Sequence, residues 1–508
     1  MRNRSLAIAL VVALAAGLLF GALASAQDLA SFEANLTEHR LDNGLTFLIY
    51  ERPGAPVVSF YTYVNVGSAQ EVPGITGLAH MFEHMAFKGT TKIGTSDYEA
   101  EAKAMVKVDE AYHAYDRERR NEYGSDPEKV AELKVAWEEA QDEAREYVVA
   151  NEFGEIIDRA GGVGLNASTG ADQTNYRYSL PANKVELWAH LESERFLDPV
   201  LREFYKERDV VMEERRMRYE SQPIGRMIEQ FVSAAFIAHP YHSLGIGYMS
   251  DLQTFTREDA QEFYDTYYSP ANMTISIVGA VKAKKIIPIL EKYFGRLPAG
   301  DPTPPLRTVE PEQIGERIVR LPDPAQPFYA EGYHRPAVTD AANDAYDALG
   351  DVLSTGRTSR LYRSLVRDKK IAAQAAAFNG FPGQKYPNLM IFFAVPTPGH
   401  TNEEVQQAIR EEIERVKSEL ISDEELAKVK TRAKANLIQG LNSNMGIARQ
   451  LGFYKGIFGD WRELFHRVDR IEALEKEDIQ RVAQQTLKAT NRTVGLIYTE
   501  TESNEGTN

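Results

Sequence analysis

The 508-residue chain contains no cysteine, which excludes a disulfide framework, a thiol nucleophile and a lipid anchor attached through cysteine. It has no basic excess either. Its formal net charge of −16 argues against nucleic acid or an anionic membrane as a main partner and is ordinary for a soluble protein. Apolar residues are plentiful, at 43%, so the chain can bury substantial cores and its length predicts at least two domains. At the N-terminus Arg2 and Arg4 precede an apolar run from Leu6 to about Leu23, and Ala24-Ser25-Ala26 offers a small-residue cleavage site. Residues 1–26 therefore read as a signal peptide, with a mature protein from Gln27 in the periplasm or outside the cell. The length of the run keeps an uncleaved membrane anchor as the alternative.

The segment His80-Met81-Phe82-Glu83-His84 carries the most chemical information. On a helix His80 and His84 share a face, and Glu83 leans over the same spot. Two imidazoles can then hold one Zn2+, while a carboxylate stands ready to take a proton from water activated by the metal. This is the ligand and base set of a zinc hydrolase, with the ion's fourth position left open. Two histidines do not complete such a site, so a third ligand is expected downstream.

With its flanks the segment reads GLAHMFEHMAFKGT, residues 77–90, and it resembles the active-site helix of the pitrilysin, insulin-degrading enzyme and mitochondrial processing peptidase family. The resemblance extends to Glu207-Arg208-Asp209-Val210-Val211-Met212-Glu213-Glu214, which is similar to the family's second motif. There it implies Glu214 as the third metal ligand and Glu207, two helical turns earlier on the same face, as the carboxylate that orients a ligand or water. Glu213 is the alternative ligand if the register slips by one. Gly161 to Tyr176 resembles the family's edge strand beside the metal, which captures extended peptides through main-chain hydrogen bonds. On that resemblance Asn166 and Ala167 contact substrate.

The spacing between the histidines and Glu214 is far longer than in most relatives, which implies an insertion over about residues 98–153. That stretch is dense in Glu, Lys, Arg and Ala and is broken at Gly124-Ser125-Asp126-Pro127, so it predicts two antiparallel helices, the second capped by Ser125 or Asp126. Further on the chain repeats itself. Asp251 to Asp259 leads to Asn272-Met273-Thr274-Ile275-Ser276-Ile277-Val278, and Arg470 to Asp478 leads at the same spacing to Asn491-Arg492-Thr493-Val494-Gly495-Leu496-Ile497. Each is an amphipathic helix followed by an apolar strand. Between the copies, Pro298 to about Gln313 is rich in proline, as a linker is. Val57 to Val66 alternates as a strand, and Glu403 to Leu420 has helical periodicity.

The expected fold is α+β. It has two homologous halves, each a mainly antiparallel sheet with packed helices, and a helical hairpin inserted in the first. The boundaries are 27–297 for a metal-bearing catalytic half, 298–313 for the linker, 314–501 for a metal-free half and 502–508 for a polar tail. The resemblance implies a zinc endopeptidase with one ion per chain, held by His80, His84 and Glu214, with Glu83 as general base acting on extended or unfolded peptides. A non-catalytic peptide-binding or scaffold subunit is the alternative. Active relatives often carry an Arg and a Tyr seven residues apart in the second half, the tyrosine stabilising the oxyanion. Aligning Ser359-Arg360-Leu361-Tyr362 places Val366 and Ala373 there. The implied partner is a homologous metal-free subunit carrying that pair, or a second copy of the chain.

Overall fold

The computed structural model describes residues 29–499. The expected signal peptide and polar tail lie outside these residues. Among the described residues no helix is long and apolar enough to cross a membrane.

Two sheets organise the chain. The first comprises β1 (Leu36–Arg40), β2 (Thr46–Glu51), β3 (Val57–Val64), β4 (Val163–Thr169), β5 (Thr174–Pro181) and β6 (Met273–Gly279), in the order β1-β2-β6-β3-β5-β4. The second comprises β7 (Arg317–Pro322), β8 (Phe328–Arg335), β9 (Ala372–Phe381), β10 (Asn388–Pro396) and β11 (Arg492–Tyr498), in the order β7-β11-β8-β10-β9. Setting β1 aside, the sheets correspond strand for strand. The pair β2–β6 is parallel, as is β7–β11, and every other pairing is antiparallel. The repeat read from the sequence is the last helix and strand of each half. The helix Arg257–Tyr267 leads to β6 and the helix Lys476–Thr486 to β11, each opening with a reciprocal capping pair, Thr256 with Asp259 and Glu475 with Asp478.

Between β3 and β4 come α1 (Leu78–Met85), α2 (Tyr98–Arg119) and α3 (Pro127–Arg145); between β5 and β6 come α4 (Phe204–Arg215) and α5 (Pro223–Ala235). In the second half α6 (Asn343–Ser354) lies between β8 and β9, and α7 (Asp423–Gly440) and α8 (Asn444–Phe458) lie between β10 and β11. The helices α2 and α3 are the expected hairpin. Asp126 caps α3 by accepting from the Glu128 amide at 3.0 Å, with Pro127 in the first turn. Ion pairs Lys107–Glu143 and Glu118–Lys129 tie the two antiparallel helices together near base and tip.

Strand β3 alternates in sequence, yet every residue after Val57 is buried, because both faces of the first sheet are covered. One face meets helices of its own half. The other receives α8 from the second half, whose Ile447, Leu451 and Tyr454 join Leu48, Tyr50, Tyr61 and Tyr63 in a shared apolar cluster. The approach is close enough that a Cβ on Gly456 would lie 2.2 Å from the Tyr63 ring. Helix α5 of the first half returns the exchange by packing on β7 and β11, with Met227 and Phe231 over Gly495.

Candidate metal centre

Helix α1 begins at Gly77, whose φ of +97° is the left-handed conformation glycine tolerates and which has no side chain to cap with. The cap comes from Glu71 instead. Its two carboxylate oxygens accept from the amides of Gly77 at 2.9 Å and Ala79 at 2.8 Å, satisfying donors that a helix start leaves open. Burial pushes the Glu71 carboxyl up to about 8, against the pull of those two bonds. Leu78, Ala79, Met81, Phe82 and Met85 are buried, so the opposite face of α1 presents His80, Glu83 and His84, with the two imidazoles nearly perpendicular and their centroids 4.8 Å apart.

Helix α4 buries Phe204, Tyr205, Arg208, Val211 and Arg215 and turns Glu207 and Glu214 toward α1. One oxygen of Glu214, Oε2, lies 3.7 Å from His80 Nε2 and 3.5 Å from His84 Nε2. Ligand atoms of His80, His84 and Glu214 all fall within 4.8 Å of one another. Zinc bonds of about 2.0–2.1 Å at tetrahedral angles need ligand atoms roughly 3.3 Å apart, so this nitrogen and oxygen set fits the ion with little rearrangement. Glu213, the neighbouring carboxylate, faces outward and pairs with Arg216 at 3.0 Å.

Glu207 Oε1 is 2.9 Å from His84 Nδ1, and its other oxygen is 2.8 Å from Lys88 Nζ. The hydrogen bond from His84, followed by Lys88, holds the Glu207 carboxyl down at about 2 against the opposing effect of burial. An ionised Glu207 can only accept, so Nδ1 of His84 carries a hydrogen and, in the neutral ring, the lone pair is left on Nε2, the nitrogen nearer Glu214. Burial opposes a charge on His84, but the Glu207 bond and the charges of Glu207, Glu214 and Glu83 together push its pKa up. His80 has no such hydrogen bond; burial, then the charge of His84, outweigh the charges of Glu214 and Glu83 and push its pKa down. Glu83 makes no hydrogen bond or ion pair with the described residues, which leaves its carboxylate available beside the histidines.

Strand β4 is the outermost strand of its sheet and is tied to α1 where Thr169 Oγ1 donates to the Ala79 carbonyl at 3.4 Å. Along it Asn166 accepts from Arg177 at 3.0 Å and Ala167 is buried, and the strand's outer edge pairs with no other strand of the sheet. In the second half Val366 packs against the core and Ala373 is exposed on β9, neither with a side-chain donor. Sequence reasoning overlooked Lys88 and Glu71. Lys88 stood within the quoted motif, and a glutamate six residues ahead of a helix-starting glycine was the only signal for Glu71.

Residues 46–118 match the family model described as insulinase, peptidase family M16, and residues 254–433 match the one described as the M16 inactive domain. The chain belongs to peptidase family M16. Among M16 relatives, the zinc protease PqqE of Helicobacter pylori is 29% identical over 87% of this chain and 87% of its own length. The mitochondrial-processing peptidase subunit beta of Saccharomyces cerevisiae is 24% identical over 90% of this chain and 89% of its own. A crystal structure of a protease from Helicobacter pylori matches with a TM-score of 0.76 at 28% identity, covering 91% of this chain and 99% of the other. The M16 fold thus extends through both halves of the chain.

Proposed function

We propose that this M16 member is an exported zinc-dependent endopeptidase acting on extended or unfolded peptides. The observation that carries the reading is the convergence of His80, His84 and Glu214 beside an unpaired Glu83. Zinc, when bound, supplies a Lewis acid for the scissile carbonyl and lowers the pKa of water toward about 7. Glu83 accepts the proton of the attacking water and returns it to the leaving amine. Glu207 fixes the ring of His84, and the free edge of β4 at Asn166 and Ala167 aligns the peptide backbone. Residues 27–297 form the catalytic half, 298–313 the linker and 314–501 the metal-free half. Val366 and Ala373 supply no oxyanion donor, so a homologous partner, or a second copy of the chain, completes the enzyme. The names of the relatives support this reading, one being a zinc protease and another a subunit. Metal analysis of the purified chain, with cleavage of an unstructured peptide before and after chelation, tests it. One zinc per chain and chelator-sensitive cleavage are expected, and a metal-free chain that only binds peptide would favour the scaffold alternative.

A further inference from the structure

Three arginines follow Glu214 within four residues, and they have different fates. Arg215 is buried, donating to the Gly247 carbonyl at 2.5 Å and to Glu229 at 2.7 Å. Arg216 pairs with Glu213. Arg218 points back at the metal centre, its Nη1 2.7 Å from Glu214 Oε1, while its side chain stays 69% exposed.

The turn that places it there is fixed from below. After α4 the helix widens over Arg216–Glu220, a π-type turn of the kind that recurs at functional sites. Gly225 of α5 lets the next helix press against this turn, since a Cβ there would come within 2.4 Å of the Arg218 carbonyl oxygen and 2.7 Å of Tyr219 Cα. Arg215 anchors the same turn to Gly247. A rigid backbone therefore delivers an exposed guanidinium to one particular oxygen.

The two oxygens of Glu214 consequently have different surroundings, with Oε1 on Arg218 and Oε2 facing His80 and His84. We infer that Arg218 is a positioning residue that restricts Glu214 to one-oxygen ligation. With both oxygens free, the carboxylate would ligate through two, raise the coordination number and take up the open position a substrate oxygen needs. A charge-assisted hydrogen bond to Oε1 prevents that and fixes the plane of the carboxylate.

The inference rests on the zinc reading above, and cobalt substitution separates the two. Four-coordinate Co(II) absorbs visible light far more strongly than five- or six-coordinate Co(II). Arg218→Met alters an exposed side chain, so the protein should fold and load metal. Its cobalt band should weaken toward that of a higher coordination number, with kcat reduced about tenfold and KM unchanged. Arg218→Lys retains one donor and should recover part of both. An unaltered cobalt spectrum and kcat in Arg218→Met, or no recovery in Arg218→Lys, would overturn the role of Arg218. Wild-type protein that takes up neither zinc nor cobalt would instead overturn the zinc reading.

Discussion

The centre between α1 and α4 has a topological twin between α6 and α7, and the two have opposite chemistry. In the first half two histidines and a glutamate converge, each with an atom turned to a common point. In the second, the carboxylates of α6 are all matched by guanidiniums. Asp351 pairs with Arg432 of α7 at 3.0 Å, Asp347 with Arg467 at 2.7 Å and Asp344 with Arg470 at 2.6 Å. Cations supplied by the protein neutralise this second position, and among the described residues no group of three metal-ligating side chains gathers there. Duplication of the fold preserved the helices and sheet, and the side chains on two helix faces decide which copy can hold a metal.

The severest way to break the contrast is to make the first centre resemble the second by removing its ligands. His80→Ala, His84→Ala and Glu214→Ala should each abolish zinc retention and with it peptide cleavage, measured by metal analysis alongside turnover. Glu83→Gln should retain zinc and still lose roughly 10²-fold to 10⁴-fold in rate, because only the base is gone. If Glu213→Ala loses the metal while Glu214→Ala keeps it, the assignment of the ligand is wrong.

Next in size is the effect of a partner. A missing oxyanion donor costs about 2.7–4 kcal/mol, or roughly 10² to 10³ in rate. Titrating in a related subunit that carries the Arg and Tyr should restore this factor at constant zinc content. A chain already at full speed alone would contradict the idea.

A smaller change should follow from Glu207→Gln, about ten- to hundredfold in zinc affinity by competition with a chelator. The same variant has a signature in acid. Because the folded protein depresses the Glu207 pKa to about 2, its contribution to metal-free stability is complete above the ordinary carboxylate value near 4.3. It is lost as pH falls from there toward 2. Metal-free Glu207→Gln should therefore show a flatter acid limb in thermal melts between those values, and an unchanged limb would count against the His84 bond.

The smallest effect is expected in the twin. Asp351→Asn breaks a partly exposed pair, so stability should fall by no more than about 1 kcal/mol, with zinc content and kcat untouched. A change in zinc content there would mean that the two positions are coupled.

Much of the centre was legible in the sequence because helical spacing is a local rule. His80, Glu83 and His84 needed only the period of the helix, and Glu207 and Glu214, close to two turns apart in sequence spacing, followed from the same period once the family motif set the register. The cap of α3 was legible to within one residue, Ser125 or Asp126, for the same local reason, and the structure selects Asp126. Partners distant in sequence were not. Nothing in Val57 to Val64 says that both faces are covered, because the cover on one face is supplied by α8, almost four hundred residues later. Arg218 was equally hidden: in a run of arginines every member looks solvated, and only the widened turn and the clamp at Gly225 select the one that reaches Glu214.

The exchange of α5 and α8 between the sheets has a bearing on motion. A hinge between the halves would have to pull Tyr63 away from Gly456 and Phe231 away from Gly495 together, exposing two apolar interfaces to water in a single step. The exchange therefore resists relative movement of the two halves. On the proposed peptidase reading, a peptide's access to His80 would then depend on motion outside this interface, and the rate of that motion would limit turnover without any change at the ligands.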